Sequence, residues 1–310
     1  MRGLWRRAVV AGLAVGFDLL GVQMPTSVGE RVSGAGAWLT TRLRPLARAG
    51  VVGPMAITGS TGSAVAGRAL EQWSRALPEG LGLAAEALLL KEVLSVEAVR
   101  KAARQVSAAL ARDDIGTARE IWSRSPVLAA VPCDSLDATE MAQVATSRVA
   151  AQANSHAVAP LFYYAVGGLP AALAYRWLSA ELAHAPEGRF GEHMRRLAMA
   201  VPAWASAGLM KVAAELRRAD SLGAERVQRT EGRLLEAPAR AATVRVMSGA
   251  LGVRLVDQEG NAVNVAGRSA TPDDLQRAGS IVGMTVGLAG GLLLVAGLAW
   301  KTFGPRGDAR

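Results

Sequence analysis

The sequence predicts an all-α, polytopic helical membrane protein with four to six spans, two polar helical segments on one side and no substantial sheet. Three observations carry this prediction. Half of the chain is hydrophobic but only 5% is aromatic. Ala, Gly, Val and Leu therefore supply the apolar mass, and such small side chains let helices approach closely where lipid gives no hydrophobic push between them. Mean hydropathy is positive. Finally, residues 157–175 and 281–300 contain no charged side chain, and each is about the length that crosses a bilayer's hydrocarbon.

The chain reads as a single domain over 1–310. Its opening, "MRGLWRRAVVAGLAVGFDLLG", sets Arg2, Arg6 and Arg7 before an apolar run. A signal peptide would end at a small-residue cleavage site, but this run continues past Asp18 to Leu20. It is expected to be a retained first span near 8–20 with its basic end in the cytoplasm. Asp18 is a candidate site residue, because an acid inside a span is costly and turns to a polar interior or, near a span end, to the headgroups. Residues 51–67 form a second, small-residue span. Residues 80–94 carry Glu86, Lys91 and Glu92 and are expected at the interface. Further spans are expected near 157–175, near 197–214 with Lys211 close to its end, and near 281–300. In the last, Gly283, Gly287 and Gly291 recur at spacing four, a small-residue helix face. Trp300 and Lys301 suit the membrane interface.

The polar segments are 96–156 and 217–280. Val96, Val99, Ala103, Val106 and Leu110 recur at helical spacing with Arg100, Lys101 and Arg104 between them, which marks an amphipathic helix. "SATPDDLQRAG" predicts a helix start with Thr271 as N-cap, Pro272 first and acids in the first turn. Two spans separate the segments, so both fall on one side of the membrane.

The net charge of +9 comes almost wholly from Arg, the lysines being Lys91, Lys101, Lys211 and Lys301. No basic stripe interleaved with aromatics and no nucleic-acid motif is present, so nucleic acid is not an expected partner. The single cysteine, Cys133, excludes an internal disulfide, and it reads as a small inert side chain. "GSTGSAVAGR" (59–68) lacks the lysine and preceding strand of a phosphate loop, so it reads as a small-residue helix face. "SGAGAW" (33–38) is weaker still. His156, His184 and His193 fall at no ligand spacing, and no metal site is predicted.

The stretch "HAVAPLFYYAVGGLPAALAYRW" (156–177) combines the length of a span with Pro160, Gly167-Gly168 and Pro170. A broken span is tolerated where it is buried in protein or lines a polar cavity, and such breaks often mark binding sites. Gly167 and Gly168 are candidate binding residues on this ground.

"APLFYYAVGGLPAALAYR" (159–176) resembles the adenosylcobinamide-phosphate synthase family (CobD/CbiB) of cobalamin biosynthesis, whose members carry A-P-L-F, G-G-x-P-x-A and Y-K in this order. "FDLLG" (17–21), "DDIGTAREIW" (113–122), "SGALGVRL" (248–255) and "TPDDLQRA" (271–278) are similar to further family pieces, in register over almost the whole chain. The resemblance implies an integral plasma-membrane ligase that joins adenosylcobyric acid to an aminopropanol phosphate with Mg-ATP. Arg176 and Arg254 would be its candidate anion contacts and Asp18 its surviving first-span acid.

The sequence departs from that family at the acidic motifs. Ser147, Ala151, Gln152, Ser155 and His156 stand where the family reads E-x-x-A-E-N-x-x-D-G. "LSAELAHAP" (178–186) puts Ser179 in place of an Asn, and "RRLAMAVPAW" (195–204) lacks both aspartates. "LLEAPAR" (234–240) keeps only Pro238 of a further motif, and "GVQMP" (21–25) lacks the second first-motif acid. Scaffold positions Pro160, Gly167, Gly168, Pro170, Gly249 and Gly252 are kept. Uncharged replacements cannot hold Mg²⁺, although Asp134, Asp137, Glu140, Glu181, Glu187 and Glu192 lie close in sequence. Three functions follow: the ligase itself; a catalytically inactive paralogue that binds corrinoid or partners an active synthase or a second copy of itself; or a signalling membrane protein on a related scaffold.

Overall fold

Helices account for nearly all of the computed structural model, which describes residues 2–22, 52–125, 127–129, 131–184, 189–231, 239–257 and 260–303. In chain order they are α1 (Arg2–Leu19), α2 (Val52–Ala76), α3 (Glu79–Leu94), α4 (Val96–Leu110), α5 (Ile115–Arg124), α6 (Ala138–Ala153), a π turn (Asn154–Val158), α7 (Ala159–His184), α8 (Arg189–Leu216), α9 (Ser221–Glu231), α10 (Ala239–Leu251) and α11 (Pro272–Phe303). Among the described residues the sheet is one antiparallel pair, β1 (Leu255–Val256) and β2 (Ala262–Val263), with Leu255 opposite Val263. The all-α class is therefore observed. Two helical stretches are long and apolar enough to cross a membrane, Ala138–Glu181 and α11. Residues 23–25, 33–38 and 234–238 and Glu187 lie outside the described residues, as do the side chains of His184, Glu192 and His193.

The chain forms two compact units. The first draws on Met1–Leu94, Pro160–Ala198 and Gly290–Arg310. There α3 packs against both α1 and α2. A Cβ on Gly67 of α2 would lie 2.7 Å from Pro170 Cα in α7, so only glycine admits this approach. Small residues also join α1 to the end of α11. A Cβ on Gly290 would lie 3.0 Å from Val15, one on Gly297 would overlap Ala8, and one on Gly12 would overlap Leu294.

This corrects the predicted Gly283/Gly287/Gly291 face. A Cβ on Gly291 would meet nothing within 4 Å, and Gly283 packs on Arg100 in the second unit. Geometry explains the difference: a four-residue step advances about 40° around a helix, whereas seven residues drift by only about 20°. Gly290 and Gly297 thus share the face that meets α1, and Gly283 and Gly291 lie off it.

The second unit draws on Ser95–Ala159 and Met199–Ala289. As the spacing predicts, α4 buries Val96, Val99, Ala103, Val106 and Leu110. α9 and α10 pack at backbone distance, since a Cβ on Gly249 would lie 2.6 Å from Ala224 Cα. A reciprocal capping box between Asp137 and Glu140 starts α6. Trp122, which is fully buried, donates its indole N–H to Val131 O at 2.8 Å. Cys133 is buried, and burial pushes its thiol above the ordinary range, which keeps it protonated and unreactive.

The π turn has a local cause. Pro160 cannot donate to the carbonyl of His156, and its ring crowds that carbonyl. The helix widens by one residue there, and the Ala159 amide donates to Asn154 O instead.

At the start of α11 the Thr271 amide and hydroxyl donate to Asp274 Oδ2 at 2.8 and 2.7 Å. Arg268 grips both oxygens of the same carboxylate at 2.6 and 2.7 Å. Burial alone would raise the Asp274 carboxyl, but the bonds from Arg268 and Thr271 outweigh it and hold it below the usual range. A carboxyl depressed in the folded state contributes stability above its unfolded pKa, near 4, and loses it as pH falls through the folded value. Asp274→Asn is expected to lower Tm at neutral pH and to flatten the loss of Tm below about pH 4, as checked by thermal melts across pH.

Candidate functional site

The site is built on the break in α7. Gly168 sits at φ +74°, ψ −162° inside the helix, a backbone region that essentially only glycine adopts. Pro170 then has no N–H to give the carbonyl of Val166. Together these leave the carbonyls of Ala165 and Val166 without their helical donors, and α1 supplies the replacement. Arg7 Nη1 donates to Ala165 O at 3.2 Å and to Val166 O at 2.9 Å.

Two buried carboxylates gather beside this break. Glu71 of α2 is 2% exposed and pairs with Arg75 one turn on. Its Oε2 lies 3.1 Å from where a Cβ on Gly168 would stand, and Arg7 Nε lies 3.4 Å from the same point. Glycine is thus demanded at 168 by space as well as by dihedral angle. Glu86 of α3 is 1% exposed. Arg6 donates to its Oε2 through Nε at 3.0 Å and Nη2 at 2.8 Å, the Tyr164 hydroxyl donates to Oε1 at 2.6 Å, and the Ser74 hydroxyl donates to Oε2 at 3.3 Å. Four helices of the first unit therefore converge on the break: α1 with Arg6 and Arg7, α2 with Glu71 and Ser74, α3 with Glu86, and α7 with Tyr164 and Gly168.

Mg²⁺ asks for several oxygen ligands and keeps waters around it. The described residues hold no group of three or more His, Cys, Asp or Glu able to take a metal. Both oxygens of Glu86 are engaged by Arg6, Tyr164 and Ser74, and Glu71 Oε1 by Arg75; that leaves Glu71 Oε2 alone without a hydrogen bond, and one oxygen is not the ligand set Mg-ATP asks for. What the cluster offers a ligand is the cationic guanidinium of Arg7 beside the helix break.

Of the sequence-predicted residues, Gly167 and Gly168 lie at the break. Asp18 is 1% exposed, which rules out snorkelling to the headgroups. It sits eleven residues from Arg7, about 16 Å along α1, and so away from the cluster. Arg176 is half-buried on α7, eight residues or about 12 Å beyond Gly168. Arg254 is exposed in the second unit, where its amide donates to Arg268 O.

Ser147 and Ser155, which the sequence reading aligned with acids, make structural hydrogen bonds. The Ser147 hydroxyl donates to Gln143 O at 3.0 Å and accepts the Val256 amide at 3.2 Å, tying α6 to β1. Ser155 donates to Gln152 Oε1 at 3.0 Å. Beside them Asn154 is fully buried in the π turn with neither amide atom bonded.

Sequence reading passes over Glu71 and Tyr164 as site residues, takes Arg6 and Arg7 only as a basic flank, and places Glu86 at the interface. The structure shows Glu86 buried, bonded to Arg6, Tyr164 and Ser74. The usable signal was Glu86 alone in "LGLAAEALLL", an acid inside an apolar run.

A family model described as CobD/Cbib protein matches residues 13–282. A cobalamin biosynthesis protein CobD of Brucella anthropi is 27% identical over 240 residues, covering 70% of this chain and 71% of that protein. One of Geobacter metallireducens is 30% identical over 182 residues, 56% of each chain. One of Halalkalibacterium halodurans is 35% identical over 96 residues, 31% of this chain and 29% of that protein. No solved structure matches significantly.

Glu86→Ala is expected to cost about 3–5 kcal/mol, because it strands a partly buried Arg6 and the Tyr164 hydroxyl. Glu86→Gln, which keeps an acceptor, should cost less. Unfolding in detergent, followed by tryptophan fluorescence, measures both.

Proposed function

The chain belongs to the CobD/CbiB protein family, and from that premise we propose that it is a multi-pass plasma-membrane protein of cobalamin biosynthesis that binds a corrinoid of the adenosylcobyric acid type. The observation that carries the corrinoid reading is the broken α7, whose Gly-Gly-x-Pro sequence is kept and whose break is held by Arg7 beside Tyr164. In a span, such a break is tolerated where it serves a binding cavity. On this reading α1, α2 and α8 join the two apolar helices to give five spans, within the expected four to six. Arg176, on the same helix as the break, is the proposed contact for an anionic group of the corrinoid.

The family's ligase reaction requires Mg-ATP. Its carboxylate positions here are hydroxyls and apolar groups, and Ser147 is committed to holding β1. The favoured reading is therefore a paralogue that binds corrinoid, or partners an active synthase, without turnover of its own. A second reading is the active ligase, for which Glu71 Oε2, buried beside Gly168 without a hydrogen-bond partner, is the carboxylate oxygen of the cluster left to take part.

The test places the full chain in lipid nanodiscs with adenosylcobyric acid, aminopropanol phosphate and Mg-ATP. Binding is followed by corrinoid absorbance and amide formation by mass spectrometry. Saturable corrinoid binding without product above a protein-free blank is expected. Product would establish the ligase, and a folded protein that neither binds nor turns over would overturn both readings. Arg176→Ala is expected to weaken corrinoid binding about tenfold or more, the worth of one charged hydrogen bond.

A further inference from the structure

In the first unit the N-terminal half of α1 and the C-terminal third of α11 enclose an open groove of about 230 Å³. Leu4, Ala8, Leu293, Ala296 and Trp300 line it, and Arg7 is the one charged residue in its wall. Around it the outer face of α11 exposes Val295, Leu298 and Phe303. On a helix that crosses a bilayer, such a face meets lipid, so what enters the groove is an acyl chain rather than water.

The charge at the groove selects the lipid. Arg7 is held by the two carbonyls of the break, and among the described residues it pairs with no carboxylate. Arg6 and Arg75, by contrast, each have a glutamate. Arg6, Arg7 and Arg75 against Glu71 and Glu86 leave the cluster one positive charge in excess, and Arg7, the arginine of the three without an ion pair, lies in the groove wall. At the same end Lys301 Nζ lies 4.7 Å from the centroid of the Trp5 ring. Trp5, Trp300 and Lys301 together have the aromatic and basic composition of a headgroup layer.

We infer that this groove is a seat for one anionic glycerophospholipid, its acyl chain along Ala296 and its phosphate compensating Arg7. The lipid would complete the electrostatics of the break, coupling the site to the anionic leaflet. The inference rests on the membrane reading of α11. Alkaline washing of isolated membranes tests that reading separately, since a protein released by the wash is not integral.

The seat itself is tested by native mass spectrometry of the full chain in detergent, with an equimolar mixture of phosphatidylglycerol and phosphatidylcholine of matched chains. A preference for the anionic lipid of about fivefold is expected, the effect of one arginine near a charged headgroup. Arg7→Gln should abolish the preference, and Arg7→Lys should retain it. Ala296→Trp, which fills the groove from an exposed position, should reduce retention of both lipids. Inorganic phosphate should not displace the lipid. Equal retention of the two lipids by the wild type, an unchanged preference in Arg7→Gln, or no effect of Ala296→Trp would each overturn the proposal. Displacement by phosphate would assign the charge to a free anion instead.

Discussion

Pro170 has no amide hydrogen, so the carbonyl of Val166 must find its donor outside its own helix. In an apolar surround a carbonyl left without a donor costs several kcal/mol. The donor it finds is Arg7, 159 residues earlier in the chain. This one substitution of a side chain for a backbone amide fixes much of the first unit. It brings the start of α1 against the middle of α7, and α1 then packs along α3 and the end of α11 through Gly12, Gly290 and Gly297.

Placing a guanidinium there has electrostatic consequences. Charges removed from water are costly unless they are paired and hydrogen-bonded. Glu86 pairs with Arg6 and Glu71 with Arg75 near the break, and Tyr164 and Ser74 also donate to the Glu86 carboxylate. The carboxylates thereby become part of the scaffold. Acids near a binding site need not be metal ligands: here both oxygens of Glu86 and one of Glu71 are bonded within the cluster that surrounds the broken helix. In the second unit Ser147 likewise serves the scaffold, bridging α6 to β1.

Local features were legible in the sequence. "GGLP" announced the break at Gly168, the Val96–Leu110 spacing gave the buried face of α4, and Thr271-Pro272 marked the start of α11. These depend on residues within a turn or two of one another. What stabilises the break depends on pairings such as Arg6 with Glu86 and Arg7 with Val166, which are 80 and 159 residues apart. Periodicity within a segment carries no information about such partners. The glycine seam failed for a related reason: which face of α11 meets α1 is set by α1, not by the spacing of glycines in α11 alone.

The most direct measurement is a double-mutant cycle between Arg7→Met and Gly168→Ala, read as unfolding free energies in detergent. If Arg7 is needed because α7 breaks at Gly168, the two changes disrupt one device, and the second should cost at least about 1 kcal/mol less in the presence of the first. Costs that add to within about 0.3–0.5 kcal/mol would mean that arginine and break are independent, and would contradict the account.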